Sequence, residues 1–457
     1  MYEIYPYFTN DGSVGLFNPE VQDIYHSTYG ALSEAYEKFI LPAELDEFFK
    51  SHNQIKILDI CFGIGYNSKS FLNFLIEKSF LISHIASIDT NNTNKTRFNN
   101  YYNDKIYANN ILKNKSKKFS NELIYSNNIS EVSLSLHKTQ TNETIYSNKS
   151  DKIFEPKVYI KALDTDKNLF CLSPFIRQGT ENDKKQYNKL NFSYEKVSKL
   201  LDGKFEEKYR LNPAVNLLLF KYISQYLPDF FTNPDLNRIL SDKKYAPFFD
   251  KEMIALFKTF KYNRCKYTPL KRLSSFLHNI YYNHLSRRYK NGLNSLILDD
   301  FIFEPIIGDA RHSLKEDTQL YNYVFLDAFT PAKCPSLWSL EFFKLLFEHL
   351  EDEGMILTYS NSAAIRNAML NAGFYVGKIY NKASDKFTGT IAVKNKSLIK
   401  FELSEYDLGL INSKAGIFYR DENLIASNDE IIARHEIEVK NSSLISSSRY
   451  IKSFRKY

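Results

Sequence analysis

The stretch KILDICFGIGYNS, residues 56–68, constrains the fold of this chain more than any other feature. A short continuous apolar run that ends at a turn is typical of a strand buried on both faces of a parallel sheet. Gly63 and Gly65 form the turn, and the segment after them carries apolar residues at helical spacing. A second apolar run, residues 82–89, ends in Asp89. The sequence therefore predicts strand, glycine turn, helix and strand, which is a βαβ unit.

The same alternation returns far downstream, after about 200 residues of different character. Three further strands, one amphipathic helix and a closing hairpin are predicted there, at residues 301–310, 321–329, 354–360, 362–374, and 374–380 with 388–394. These elements complete an α/β fold with a doubly wound, mostly parallel sheet that ends in an antiparallel hairpin. The expected class is the Rossmann-like fold.

The segment between the two halves of this sheet is interpreted as a large, mainly helical insertion. The predicted organisation is residues 1–100 for the N-terminal segment and the first half of the domain, 101–295 for the insertion, 296–440 for the second half and 441–457 for a basic tail. Within the insertion, residues 103–195 are rich in Asn, Lys and Ser and partly irregular, whereas 196–290 are helical and basic.

Composition excludes several classes of protein. Four cysteines occur without a CxxC pair, and the nine histidines show no HxxxH or HxH spacing, so neither a disulfide framework nor a metal site is predicted. The N-terminus lacks a signal-peptide pattern, and no apolar run reaches the roughly 18 residues that a membrane helix needs. A cytoplasmic protein that does not bind a membrane is expected.

The glycine turn is typical of a cofactor site, because glycines let the backbone approach a ligand closely. Dinucleotide sites favour G-x-G-x-x-G, but the third position here is Ser68. At the end of the next predicted strand, Asp89 is placed to accept hydrogen bonds from a ribose diol. This pattern fits S-adenosylmethionine better than NAD, and a purely structural glycine turn is the alternative.

Two further acids, Asp309 and Asp327, end predicted strands at the same carboxyl edge of the sheet, where open α/β sheets bind ligands. Each could equally cap a helix. The loop LDAFTPAKCPSLWS, residues 326–339, contains Asp327 at the end of its strand and suits a flat base held by stacking. Packing onto the following helix explains Trp338 equally well, and Cys334 lacks the paired His or Cys that a nucleophile needs.

Five separated blocks carry a resemblance to a known family. They are DGSVGLFNPEVQDIYHSTYGALSEAYEKFI, ILDICFGIGYNS, GDARHSL, VFLDAFTPAKCPSLWS and AGIFYRDENL. Together they resemble the tRNA 5-methylaminomethyl-2-thiouridine methyltransferase family, the MnmC-like methylation domain. The resemblance covers about residues 8–100 and 296–440, and the middle of the chain does not match.

The resemblance implies an S-adenosylmethionine-dependent transfer of a methyl group to the 5-aminomethyl substituent of the wobble uridine in tRNA. It implies tRNA as a partner, through the anticodon stem-loop, and coupling to enzymes that make 5-aminomethyluridine. Many relatives are fused to a flavin-dependent oxidase domain; no second glycine-rich βαβ loop occurs here, so the stand-alone form is expected. Two positions depart from the family: Asp89 replaces a usual Glu, and Cys334 replaces a frequent Asn.

With the resemblance and the residue patterns combined, each block has an expected role. Asp327 is the predicted proton acceptor for the amine. The methyl donor is expected to contact Phe62, Gly63, Gly65, Asn67, Asp89, Asp309 and Ala310. The tRNA substrate is expected to contact Tyr25, His26, Ser27, Glu34, Phe329, Pro331 and Lys333.

From Lys258 to Lys290 there are nine Lys or Arg and no Asp or Glu, with aromatic residues interleaved. Contact with tRNA phosphates is the functional hypothesis, and a solvated helical face is the alternative. A small-molecule amine methyltransferase, or an aminopropyltransferase on the same fold, would not need this segment. A non-catalytic RNA-binding protein is a third hypothesis, which the intact Asp327 and glycine turn disfavour.

Overall fold

The computed structural model describes residues 2–19, 23–25, 27–90, 156–188, 203–264, 301–382 and 384–454. Two sheets occur in this part of the chain. Their ten strands are β1 (Tyr5–Phe8), β2 (Val14–Asn18), β3 (Asp23–Ile24), β4 (Gln54–Ile60), β5 (Lys157–Asp164), β6 (Phe301–Ile307), β7 (Tyr321–Leu326), β8 (Leu350–Thr358), β9 (Tyr375–Asn381) and β10 (Lys386–Val393).

The larger sheet has the order β6-β5-β4-β7-β8-β10-β9. Its first five strands are parallel, and β10 runs antiparallel to both β8 and β9. The chain order reverses on either side of β4, so β4 and β7 stand at the switch point where such sheets bind ligands. The predicted doubly wound sheet with its closing hairpin is confirmed.

The smaller sheet is an antiparallel meander of β1, β2 and β3. A helical segment follows it, with α1 (Ala31–Ala35), one π-helical turn at Tyr36–Ile40, and α2 (Leu45–Ser51). The helix predicted before the first strand is therefore present but broken after Ile40, close to Pro42, since a proline cannot continue the backbone hydrogen bonding of a helix interior.

The remaining helices connect and cover the large sheet. They are α3 (Tyr66–Thr90), α4 (Lys167–Leu172), α5 (Glu181–Tyr187), α6 (Pro213–Tyr226), α7 (Pro234–Ser241), α8 (Lys251–Arg264), α9 (Ala310–Lys315), α10 (Leu340–Glu348), α11 (Ala363–Asn371), α12 (Glu405–Ile411), α13 (Asn428–Asn441) and α14 (Ser447–Phe454). In this described part, no helix is both long enough and apolar enough to cross a membrane.

The predicted second strand, residues 82–89, is wrong. This stretch belongs to α3, which continues to Thr90. Neither glycine nor proline interrupts residues 66–90, so nothing in the sequence ends the helix before the apolar run. The strand that pairs with β4 is instead β5, which ends in Asp164 and lies inside the segment predicted as an insertion.

The chain divides into two compact units, one of Met1–Lys78 with Glu155–Tyr457 and one of Ser79–Phe154. The first unit contains both sheets. Of the second, only the end of α3 is described. The helical prediction for residues 196–290 agrees with α6, α7 and α8, whereas residues 265–300 lie outside the described part.

The core of the larger sheet is a cluster of large apolar side chains against α10 and α11. Trp338, Phe342 and Leu346 are fully buried there, together with Ile365. The indole Nε1–H of Trp338 donates to the carbonyl of Phe329 at 2.8 Å. The ring of Trp338 also lies 6.5 Å from that of Phe343 in α10, as expected for a loop that packs onto the following helix.

Lys69, in the first turn of α3, is fully buried. Its ammonium donates to the carbonyl of Ser173 at 2.7 Å and lies 5.5 Å from the ring centre of Tyr66. Burial lowers the pKa of Lys69 to about 7. Among the described residues, no carboxylate is paired with this amine.

We expect Lys69→Met to change how stability depends on pH. Between pH 7 and about 10 the unfolded chain holds a proton on Lys69 that the folded chain lacks, so this residue makes wild-type stability rise with pH. Relative to wild type, the Met variant should lose roughly 2–4 kcal/mol of unfolding free energy from pH 7 to pH 10. Urea unfolding at both pH values measures this, with exposed Lys440→Met as the control that should show no such shift.

Candidate active site

The loop Cys61–Gly65 joins β4 to α3 at the carboxyl edge of the large sheet. Gly63 and Gly65 have φ of 57° and 84°, in the left-handed region that favours glycine, and Cys61 has φ of 64°. The N–H of Phe62 donates to the carbonyl of Leu163 at 2.9 Å, and the N–H of Gly65 to that of Phe62 at 2.8 Å. The loop is therefore tight and fastened to the end of β5.

The two glycines face different surroundings. A Cβ on Gly65 would lie 2.3 Å from the ring of Phe62, so this glycine makes room for a side chain of the protein itself. A Cβ on Gly63 would meet nothing nearer than a ring carbon of Tyr25 at 3.7 Å. Of the two, Gly63 is the one not crowded by its own loop, and the ring of Tyr25 bounds the space beside it.

Phe62 does not face this space. Its side chain is buried and stacks on Phe170 of α4, with ring centres 4.6 Å apart. The predicted donor contact at Phe62 is therefore restricted to its backbone.

Asp164 is the acid at the strand end beside the loop. The N–H of Gly63 donates to its Oδ2 at 2.7 Å, and the N–H of Asp166 to its Oδ1 at 2.9 Å. The side chain is only half-buried, although desolvation raises the pKa of Asp164 to about 6. Asp89, predicted for this position, lies in α3 instead of at a strand end.

Asp327 follows β7, on the other side of β4 from Asp164. Its backbone N–H donates to the carbonyl of Ile60 at 3.3 Å, and its Oδ2 accepts the side-chain amide of Asn67 at 3.1 Å. The side chain is half-buried. The structure thus brings together two residues that were predicted separately: Asp327 as the proton acceptor and Asn67 as a contact of the methyl donor.

Asp309 is the N-cap of α9, where its Oδ1 accepts the N–H of Arg311 at 2.9 Å. Its Oδ2 also accepts the Arg311 guanidinium at 2.6 Å, and the same guanidinium reaches Asp421 at 2.6 Å. Burial would raise the pKa of Asp309, but the hydrogen bonds and charge of Arg311 hold it below its usual value. Asp309 therefore caps α9, its contact with the methyl donor stays a prediction, and Ala310 beside it is buried.

An aromatic pair lies over the loop. The rings of Tyr25 and Phe329 are 5.0 Å apart and tilted by 54°. The hydroxyl of Tyr25 accepts the side-chain amide of Asn18 at 3.1 Å. Two residues predicted to contact the substrate are therefore neighbours above Gly63, and Tyr25 covers that glycine.

The other residues predicted to contact the substrate are more spread out. Ser27 donates through its N–H and its hydroxyl to Glu34, at 3.1 and 2.7 Å, and Lys38 pairs with Glu34 at 2.9 Å. His26 lies outside the described residues. Pro331 is half-buried and Lys333 is exposed in the loop after Asp327.

Cys334 lies in that same loop with its sulfur 3.8 Å from the hydroxyl of Ser336. Burial raises the pKa of Cys334, which disfavours the thiolate that a nucleophile needs.

Asp164 is not among the predicted site residues, although its sequence signal is present. KVYIKALD is an apolar run that ends in an acid, the same pattern that was recognised at Asp309 and Asp327. The run 82–89 shows the same pattern earlier in the chain, and for that reason the second strand is predicted there. Asp59, within β4, was also left without a role.

Comparisons with known proteins bear on this site. A family model described as an S-adenosyl-L-methionine-dependent methyltransferase matches residues 275–395, which include Asp309, Ala310, Asp327 and Phe329. A protein named tRNA 5-methylaminomethyl-2-thiouridine biosynthesis bifunctional protein MnmC, from Burkholderia vietnamiensis, is 34% identical over 73 residues, 16% of this chain and 11% of that protein. Residues 275–395 therefore match a domain of S-adenosyl-L-methionine-dependent methyltransferases, and the chain is similar to MnmC proteins.

Two other matches accompany this MnmC-like domain. An uncharacterised protein of Methanocaldococcus jannaschii is 30% identical over 155 residues, 34% of this chain and 41% of that protein. A crystal structure of MNMC2 from Aquifex aeolicus matches with a TM-score of 0.47 and 18% identity, over 96% of this chain and 86% of that one. The chain matches well under half the length of these curated relatives.

Proposed function

We propose that this methyltransferase methylates the 5-aminomethyl group of the wobble uridine in tRNA, giving 5-methylaminomethyluridine or its 2-thio form. One observation carries the proposal: Asp164 and Asp327 flank the loop at Gly63, and the aromatic pair Tyr25–Phe329 lies above it. The MnmC relatives are named for the biosynthesis of the same modified nucleoside.

The residues at this edge fit S-adenosylmethionine under one condition. Two half-buried carboxylates suit a cationic sulfonium, and the carboxylate of Asp164 stands where it could accept hydrogen bonds from a ribose diol. The backbone from Phe62 to Asn67 would hold the amino acid part, and Asp309 with Ala310 would border the adenine. The condition is that Tyr25 moves away from Gly63, since its ring covers the loop.

When bound, S-adenosylmethionine supplies an electrophilic methyl group. The protein must bring the substrate amine into its neutral form, because an alkylamine has a pKa near 10 in water and is protonated at neutral pH. The carboxylate of Asp327, oriented by the amide of Asn67, would accept the ammonium proton directly or through water. The nitrogen lone pair freed in this way would be available to the methyl carbon, whose bond to sulfur would break with its electron pair remaining on the sulfur.

Stacking would hold the uracil base, and positive charge would hold the tRNA backbone. The neighbouring rings of Phe329 and Tyr25 would stack on the base, and Pro331 and the exposed Lys333 follow Phe329 in the same loop. Ser27, His26 and Glu34 of the N-terminal segment would contact the substrate from the other side.

The basic segment is proposed to bind the anticodon stem-loop. Its first residue, Lys258, is exposed on α8, and residues 265–290 lie outside the described part. Reversing charge at Lys271, Arg272, Arg287 and Arg288 should weaken tRNA binding about tenfold or more at low salt and flatten its salt dependence. Filter binding against salt concentration measures this, with four reversals at Lys396, Lys400, Lys440 and Lys452 as control. Equal losses in both quadruple variants would contradict the assignment.

The function itself is tested by its product. Purified protein is incubated with labelled S-adenosylmethionine and tRNA from cells that lack this methylation, and the tRNA is digested to nucleosides. Label in methylated 5-aminomethyluridine is the expected result, in line with coupling to enzymes that make that amine and with a cytoplasmic site of action. Label found only on small amines such as polyamines would favour the alternative, a small-molecule amine methyltransferase or an aminopropyltransferase.

A further inference from the structure

Asp59, the penultimate residue of β4, is fully buried. Its Oδ2 accepts the backbone N–H of Ser68 at 3.2 Å and the hydroxyl of Ser68 at 2.5 Å. Its Oδ1 has no hydrogen-bond partner among the described residues. An ionised carboxylate with one oxygen left bare in the protein interior is costly, so this group favours its protonated form.

The register of the sheet places two other acids on the same face. Asp59 pairs with Ala162 of β5 and with Phe325 of β7. Asp164 and Asp327 stand two residues beyond those partners, and side chains two residues apart share one face of a strand. Both Asp59 and Asp327 bond to the first turn of α3, so that face is the one covered by α3.

Three carboxylates thus converge at the ends of three adjacent strands, and like charges this close do not all ionise easily. The titratable groups that face Asp59 are Asp164 at the end of β5, Asp327 directly after β7 and the thiol of Cys61 directly after β4. The residue of α3 that donates to Asp59 is Ser68, since the amine of Lys69 donates to the carbonyl of Ser173 instead. Burial first, and then the charges of Asp327 and Asp164, raise the pKa of Asp59 to about 7.

We propose that Asp59 holds a proton in the free protein and releases it to solvent when the cationic methyl donor binds at this edge. The inference rests on the proposed donor site. The step is a simple ionisation: the O–H bond of Asp59 breaks, the electron pair stays on the carboxylate, and the new negative charge compensates the sulfonium. Donor affinity must then rise with pH through neutrality, since a ligand that binds the ionised form displaces the proton.

The ligand itself provides the sharpest control. S-adenosylhomocysteine has the same shape without the methyl group and without the sulfonium charge. Titration calorimetry of the wild-type protein at pH 7, in phosphate and in Tris, gives the number of protons released from the difference in heat between buffers. About half a proton should be released with S-adenosylmethionine and clearly less with S-adenosylhomocysteine.

Asp59→Asn provides the second arm, because its amide oxygen can still accept from Ser68. In the wild type the Kd for S-adenosylmethionine should fall up to about tenfold from pH 6 to pH 8. In the variant it should stay constant within about twofold, with no proton release. A thermal melt confirms that the variant is folded.

The same data separate the two levels of failure. Wild-type protein that binds the donor without releasing a proton, or releases equally with both ligands, overturns the role of Asp59 and leaves the donor site standing. Proton release that persists unchanged in the folded Asp59→Asn variant likewise overturns the role of Asp59 and leaves the donor site standing. Absence of any donor binding overturns the donor site, and this inference with it.

Discussion

Replacing Asp327 by Asn should lower the rate of methyl transfer at saturating substrates about 10²–10⁴-fold, the range that a positioned general base contributes. The variant keeps an oxygen that can accept the amide of Asn67, so the local geometry is preserved. It removes the group that takes the ammonium proton. Single-turnover rates measure the chemical step, and calorimetry should show donor affinity within about tenfold of wild type.

The pH profile distinguishes loss of a base from loss of structure. Without Asp327 the amine must lose its proton to solvent, so the rate of the variant should rise nearly tenfold per pH unit up to the pKa of the bound amine. Asp317→Asn is the control, since Asp317 lies at the other end of β7 and pairs with Lys161 at 2.9 Å. A rate within tenfold of wild type for Asp327→Asn would remove Asp327 from its proposed role.

The second large effect is expected at Asp164. Asp164→Ala removes the acid proposed for the ribose and also the acceptor for the N–H of Gly63. Loss of hydrogen bonds to a charged group, about 1.5–3 kcal/mol each, should weaken donor binding roughly 10–200-fold. Calorimetric titration with S-adenosylhomocysteine, which lacks the sulfonium charge, measures the ribose contribution separately from charge attraction.

Asp89→Ala is the matched control for Asp164→Ala, because the sequence pattern placed the ribose contact at Asp89 whereas the sheet pairs β4 with β5. Its donor affinity should remain within about twofold of wild type. The reverse pattern, with Asp89→Ala impaired and Asp164→Ala intact, would show that the strand end beside the loop does not hold the ribose.

The order of most strands could be predicted from sequence because their signals are local. The runs before Asp309 and Asp327, the glycine turn and the closing hairpin each carry apolar runs bounded by turns. The second strand could not be placed this way. A short apolar run such as 82–89 fits a strand and a helix equally well, and only pairing with β4 selects 157–164 instead.

The site was predictable in its residues more than in its contacts. Asn67, Asp327, Tyr25 and Phe329 were assigned singly, and the fold brings them together in pairs. Tertiary partners decide the rest: Arg311 occupies the carboxylate of Asp309. No local pattern in the sequence encodes such contacts between distant segments.

The burial of functional side chains depends on the same long-range packing. Phe62 follows the strand directly and was assigned to the donor, but Phe170 of α4 stacks on its ring. Tyr25 is predicted to contact the substrate, and its ring covers Gly63. Both outcomes follow from segments far apart in the chain that meet over one loop.

A crystal structure of the protein with S-adenosylhomocysteine tests the central claim most directly. We expect the ribose hydroxyls within hydrogen-bond distance of Asp164, the thioether sulfur between Gly63 and Asp327, and the ring of Tyr25 displaced from its position over the loop. A ligand bound elsewhere while Tyr25 still covers Gly63 would contradict it.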